Sequence, residues 1–141
     1  RGLGDVYKRQ EEEAITRLSR VGFDNCLGYL DSGIESWKTA GYSTESIRSI
    51  DPKQFINESS PNSQIIDVRD KSELINGKFK SSKNIPLSKI DSHKKIDKNL
   101  TSYVYCAGGY RSVIACSILK RDKFNQLVNV ESGFSGISKL I

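Results

Sequence analysis

The chemistry this chain could perform is concentrated in one run, Cys106-Ala107-Gly108-Gly109-Tyr110-Arg111-Ser112. Small residues and two glycines let successive backbone N–H groups turn inward toward the sulfur. The result is an anion-binding concavity, backed by the positive end of a helix predicted over residues 111–122. Both that helix end and the Arg111 guanidinium favour the thiolate, so Cys106 is expected to ionise below the reference of about 8.5. The other two cysteines carry no such context. Cys116 falls mid-helix among Ile114, Ile118 and Leu119 and reads as core. Cys26 opens an apolar run, Cys26 to Leu30, and reads as packing. Three distant Cys without a CxxC pair, and a single His, His93, among lysines, exclude a disulfide framework and a zinc knuckle. No metal site is expected.

Several elements must hold that loop. Asp51 followed by Pro52 is a helix entry, with the carboxylate free to cap and the proline where its missing N–H costs nothing. Residues 52–58 follow as a helix. Gln64 to Val68 reads as a short buried strand, and Asp70 with Glu73 as a D-x-x-E cap for one helical turn. Asn84-Ile85-Pro86-Leu87 suggests a short strand, followed by a turn of helix near residues 88–91. Thr101 to Tyr105, rich in β-branched and aromatic residues, is a central strand. Helix 111–122, strand 127–130 and a short helix from Phe134 complete the pattern. Strands alternating with helices on short connections give an α/β fold, a parallel sheet covered on both faces. In such sheets ligands sit beyond the carboxyl ends of the strands, where Cys106 falls. Asp67 and Arg69, at the end of a neighbouring strand, read as a structural ion pair.

An internal repeat organises the rest. Leu30-Asp31-Ser32-Gly33 and Val130-Glu131-Ser132-Gly133 recur at one offset. Phe23 or Phe124 and then a short apolar strand, residues 26–30 or 127–130, precede each, with a helical pattern before them. The helical patterns are Ala14, Ile15 and Leu18 in one copy, and Val113, Ile114, Ile118 and Leu119 in the other. Residues 11–47 therefore read as the C-terminal remnant of an upstream, degenerate copy, with Trp37 in its core, and residues 48–141 as the complete unit. The remnant is expected to be the less stable part. Residues 1–10, RGLGDVYKRQ, show no periodic apolar pattern and resemble translated adapter sequence, so they are set apart. With no Met and Arg1 at the start, the chain is expected to be a fragment.

Composition removes other classes. The chain has 141 residues, 36% hydrophobic and 28% charged, and no apolar run approaches the roughly 18 residues of a membrane helix. No membrane partner is expected. The net charge of +5 is local: eight lysines lie between Lys71 and Lys98, against Glu73, Asp91 and Asp97. Dispersed lysines with only Phe79 among them do not make a nucleic-acid surface. Free thiols suit a reducing, cytoplasmic setting.

The Cys106 loop closely resembles the active-site loop of the rhodanese (thiosulfate sulfurtransferase) superfamily, C-x-x-G-x-R-S, matched by Cys106, Gly109, Arg111 and Ser112. The resemblance extends to Ile66-Asp67-Val68-Arg69 with Glu73, to Asn84-Ile85-Pro86-Leu87, and to Glu131-Ser132-Gly133-Phe134. Where the family has G-H-I-x-G-A, this chain has Gly77 to Ser82 without the His. A degenerate copy ahead of CAGGYRS is similar to the C-terminal part of metallo-β-lactamase-fold proteins fused to rhodanese domains, related to persulfide dioxygenases. That likeness implies missing upstream domains of both kinds.

The resemblance implies a sulfurtransferase. Cys106 would take a sulfane sulfur from a small anionic donor, thiosulfate or an organic persulfide, hold it as a covalent persulfide without any cofactor, and pass it to a thiol or cyanide-like acceptor. Arg111 would orient the donor. The backbone of Ala107, Gly108, Gly109 and Tyr110 would bind it, and Ser112 would cap the helix. Tyr110, where a second cation would aid a dianion, points to a persulfide over thiosulfate. Two other readings compete: a non-catalytic regulatory or interaction module, and a Cys-dependent phosphatase or arsenate reductase. Those last enzymes need five residues between Cys and Arg, and this loop has four.

Overall fold

The structure, a computed structural model, describes residues 11–19, 24–92 and 95–141. Expectations for residues 1–10, Phe23 and His93 lie outside the described residues, as does the side chain of Leu18. The chain divides into two compact units, Arg1–Ser46 and Ile47–Ile141.

The first unit contains α1 (Glu11–Ser19) and α2 (Ile34–Thr39). Ala14 and Ile15 are half-buried on α1. The strand expected over residues 26–30 is absent: residues 24–30 have no regular structure, Leu27 is 94% exposed, and Cys26 is exposed rather than packed. Trp37 is not in a core either. Its ring leans on Tyr42, its Nε1 donates to the Ser43 carbonyl, and it stays 40% exposed. The reason is physical: a strand needs a neighbour to satisfy its backbone groups, and the described residues of this unit contain no other strand.

The second unit is a five-stranded, all-parallel sheet in the order β1-β5-β4-β2-β3, flanked by helices, the α/β class expected. Its strands are β1 (Arg48–Ile50), β2 (Ser63–Asp67), β3 (Lys83–Asn84), β4 (Thr101–Tyr105) and β5 (Leu127–Val130). The helices are α3 (Pro52–Glu58), α4 (Tyr110–Arg121) and α5 (Gly133–Ile137), with 3-10 helices at Lys71–Asn76 and Leu87–Ser92. Strand β1 was not legible in advance. It is a three-residue edge strand burying only Ile50, too short for a periodic signal. The α3 entry forms as its residues dictate, with Asp51 accepting the Gln54 N–H and the Gln54 side chain accepting the Asp51 N–H.

Side chains alternate across each strand, and this sorts the core into two layers. Val104 and Cys106 of the central segment face one layer with Ile66, Ile90, Ala115, Cys116 and Leu119. Tyr103 and Tyr105 face the other, with Phe55, Val128, Val130 and Ile137. Phe55, wholly buried, packs in tilted contact with Phe79 and Tyr103, its ring centroid 4.8 and 5.5 Å from theirs. Such a ring contributes about 3 kcal/mol by burial alone. The parity of β4 therefore aims Cys106 at α4.

On α4 the inward stripe is Ser112, Ala115, Cys116 and Leu119, spaced i, i+3, i+4, i+7. Val113, expected on the buried face, is 41% exposed. The periodicity of the sequence fits both stripes; Gly109 decides between them. Its left-handed conformation, φ 99°, ends the loop and starts the helix with Ser112 turned inward.

Candidate active site

Cys106 leaves the carboxyl end of β4, where β2 on one side and β5 on the other also end. Its Sγ lies at the bottom of the loop. The Gly109 N–H donates to it at 3.1 Å and the Ser112 hydroxyl at 3.6 Å. The same hydroxyl reaches the Gly109 carbonyl at 3.0 Å. Ser112 is therefore no helix cap; the N-cap is Gly109, and Ser112 points from the first turn of α4 at the sulfur. Cys106 itself is 1% exposed. Gly108 and Tyr110 form the exposed part of the loop above it.

Two opposed effects set the Cys106 pKa. Burial pushes the thiol up; the Ser112 hydroxyl and the backbone N–H groups of Ser112, Gly109 and Gly108 pull it down, and the net result lies below the ordinary value. Cys116, on the same face without donors, is pushed up to about 12 by burial. The fold thus separates one ionisable thiol from one inert one.

Neighbouring loops keep those amides pointed inward. The Phe134 N–H donates to the Cys106 carbonyl at 2.6 Å and the Ser135 N–H to the Ala107 carbonyl at 3.0 Å. With its carbonyl oxygens claimed by the start of α5, the loop is free to turn its N–H groups to the sulfur. The sequence marks Glu131 to Phe134 as part of a repeat, a helix start and a family pattern, with no local signal that they hold the Cys106 loop.

Both arginines are paired with carboxylates. Arg69 and Asp67 form a buried pair, Nη2 to Oδ2 at 2.7 Å and Nε to Oδ1 at 3.0 Å. Arg69 Nη2 also donates to the Gly77 carbonyl at 2.9 Å, and its guanidinium lies 4.2 Å from the Phe134 ring centroid. One side chain thus ties the ends of β2, the first 3-10 helix and α5 together. Phe79, in the segment that departs from the G-H-I-x-G-A pattern, fills the Phe55 layer and donates its N–H to the Tyr105 hydroxyl at 3.2 Å.

Arg111 does not reach toward the thiol as an unpaired cation. Its Nη1 and Nη2 grip the Glu73 carboxylate at 2.6 and 2.8 Å, and Asp70 Oδ2 lies 3.9 Å from Nη1. The Asp70 N–H donates at 3.0 Å to Glu73 Oε2, the oxygen that also accepts from Arg111 Nη1. The sequence marked Glu73 as a helix cap, and it performs that role; its grip on Arg111, 38 residues away, had no local signal. Among the described residues no group of three His, Cys, Asp or Glu side chains could hold a metal ion, and no helix is long and apolar enough to cross a membrane.

A parallel sheet with a buried cysteine at the end of its central strand, ringed by amides at a helix start, defines a class of cysteine-loop α/β domains. Residues 51–140 match the family described as the Rhodanese-like domain, and the chain belongs to that family. It is 33% identical over 72 residues to the uncharacterized protein YqhL of Bacillus subtilis (strain 168), matching 50% of this chain and 57% of that protein's length. Among solved structures, a rhodanese-like domain protein from Staphylococcus aureus superposes with a TM-score of 0.58 at 34% identity, covering 64% of this chain and 91% of that one. A rhodanese-related protein from Thermoplasma volcanium gives 0.60 at 30% identity, covering 66% and 92%.

Proposed function

We propose that the protein is a sulfurtransferase working through a persulfide on Cys106. The observation that carries this reading is the Gly109 N–H at 3.1 Å from Cys106 Sγ, joined by the Ser112 hydroxyl, in a loop whose donors favour the anion. In the first step the thiolate forms an S–S bond to the outer sulfur of the donor while the donor's own bond to that sulfur breaks. A persulfide R–S–SH leaves as the thiol R–SH and thiosulfate leaves as sulfite; either way Cys106 becomes Cys–S–S⁻. In the second step a thiol or cyanide-like acceptor takes the outer sulfur and restores the thiolate. No cofactor enters either step, and a reducing cytoplasm suits the free thiol. The same amides stabilise thiolate and persulfide without side-chain movement.

Phosphate chemistry is the weaker fit. The guanidinium a phosphate cradle would use is already bound by Glu73, and four residues separate Cys106 from Arg111. The burial of Cys106 gives a non-catalytic interaction module its one supporting observation. Intact mass after incubation with thiosulfate or glutathione persulfide tests both. A gain of one sulfur in the wild type and none in Cys106→Ala is expected; no gain in the wild type would overturn sulfur transfer, and hydrolysis of p-nitrophenyl phosphate would then separate phosphate chemistry from the binding module.

A further inference from the structure

We propose that Glu73 is a specificity-determining residue: by clamping Arg111 it keeps the mouth of the Cys106 loop free of uncompensated guanidinium charge and reserves the site for donors whose reacting sulfur group carries at most one negative charge. The inference rests on the sulfur-transfer reading and narrows its substrate class to organic persulfides. It stands on geometry. Arg111 adjoins the loop, yet each of its terminal nitrogens donates to one carboxylate, with a second carboxylate 3.9 Å from Nη1. Arg69, the other guanidinium nearby, is spent on Asp67. Two guanidinia are thus answered by three carboxylates. Thiosulfate, with both negative charges on the group that approaches the thiolate, meets repulsion that these cations do not offset, whereas a persulfide group, neutral or singly charged with any carboxylates of its carrier farther away, meets far less. Donation to the thiolate from backbone N–H groups and a hydroxyl suits the smaller charge, because dipoles are supplied without a net cation.

The test is the ratio of kcat/KM for thiosulfate to that for glutathione persulfide. The wild type is expected to prefer the persulfide. Glu73→Gln keeps the side-chain length and an acceptor for the Asp70 N–H while removing the carboxylate charge and one of the two acceptors that hold Arg111, and should raise the ratio by about tenfold or more. Asp70→Asn, at an exposed side chain, and Tyr110→Lys, which adds a cation on the loop, should each raise it in the same direction. They carry the test if Glu73→Gln does not fold. An unchanged or lower ratio in the folded variants overturns the assignment, as does a wild type that prefers thiosulfate. Failure of the wild type to take sulfur from either donor would instead overturn the sulfur-transfer reading, and this assignment with it.

Discussion

Gly133 and Cys106 are packed so closely that a Cβ on the glycine would stand 2.2 Å from the Cys106 carbonyl oxygen. Gly133 is also at φ 48°, where an L side chain is strained. The loop bearing the thiol and the start of α5 are therefore one assembly. Gly133→Ala is expected to cost more than about 2 kcal/mol and to abolish sulfur loading of Cys106. Gly108→Ala, where a Cβ meets nothing within 4 Å, should stay within about 1 kcal/mol of wild type and keep loading. Denaturant melts and intact mass read both outcomes.

Ser112→Ala removes the hydroxyl that helps hold the Cys106 thiol below its ordinary pKa. The alkylation profile of Cys106 should move to higher pH, with reactivity at neutral pH falling about threefold to tenfold. Cys116, pushed up to about 12, should stay unmodified in both proteins. Peptide mapping after pH-jump labelling separates the two thiols, and an unmoved profile would remove Ser112 from the set of sulfur donors.

Asp67→Ala strands the Arg69 guanidinium in a site where both side chains are almost wholly buried. The expected loss is about 3–5 kcal/mol, because the charge keeps its burial and loses its partner. Replacing both, Asp67→Ala with Arg69→Leu, should recover part of that loss. A double-mutant cycle by thermal unfolding gives the coupling directly.

The Arg111 guanidinium holds the Glu73 carboxyl down to about 2, from an ordinary 4.5. A carboxyl depressed on folding adds stability that is complete above its unfolded value and is lost as pH falls through its folded one. The wild type should therefore lose stability between pH 4.5 and about 2, and Glu73→Gln should show a shallower slope over that window. Equal slopes would mean that the pair contributes nothing to folding.

Hydrogen exchange should divide the chain sharply. Amides of residues 24–33 have almost no backbone partners and lie among exposed side chains, so they should exchange within seconds. Amides of β2 and β4, paired on both sides and buried, should exchange slowest.

The alternation of strands and helices, the Asp51-Pro52 helix entry and the cysteine–glycine loop were all readable from residue order, because each is a local matter of period, cap or turn. Such signals reach a few residues and no further. The first unit shows the limit: its apolar run, Cys26 to Leu30, has the composition of a strand but no other strand of that unit to pair with among the described residues, so composition alone could not make it one. Val113 and Ser112 fit the helical period equally well, and the backbone turn at Gly109 settled which faces the sulfur. The fate of Arg111 was beyond any local rule. Its charge was evident in the chain, but its partner, Glu73, is brought to it only when the ends of β2 and β4 are placed side by side. Residue types determined that a thiol, amides and two guanidinia would be available; the sheet register decided which of those charges would be left to face a ligand.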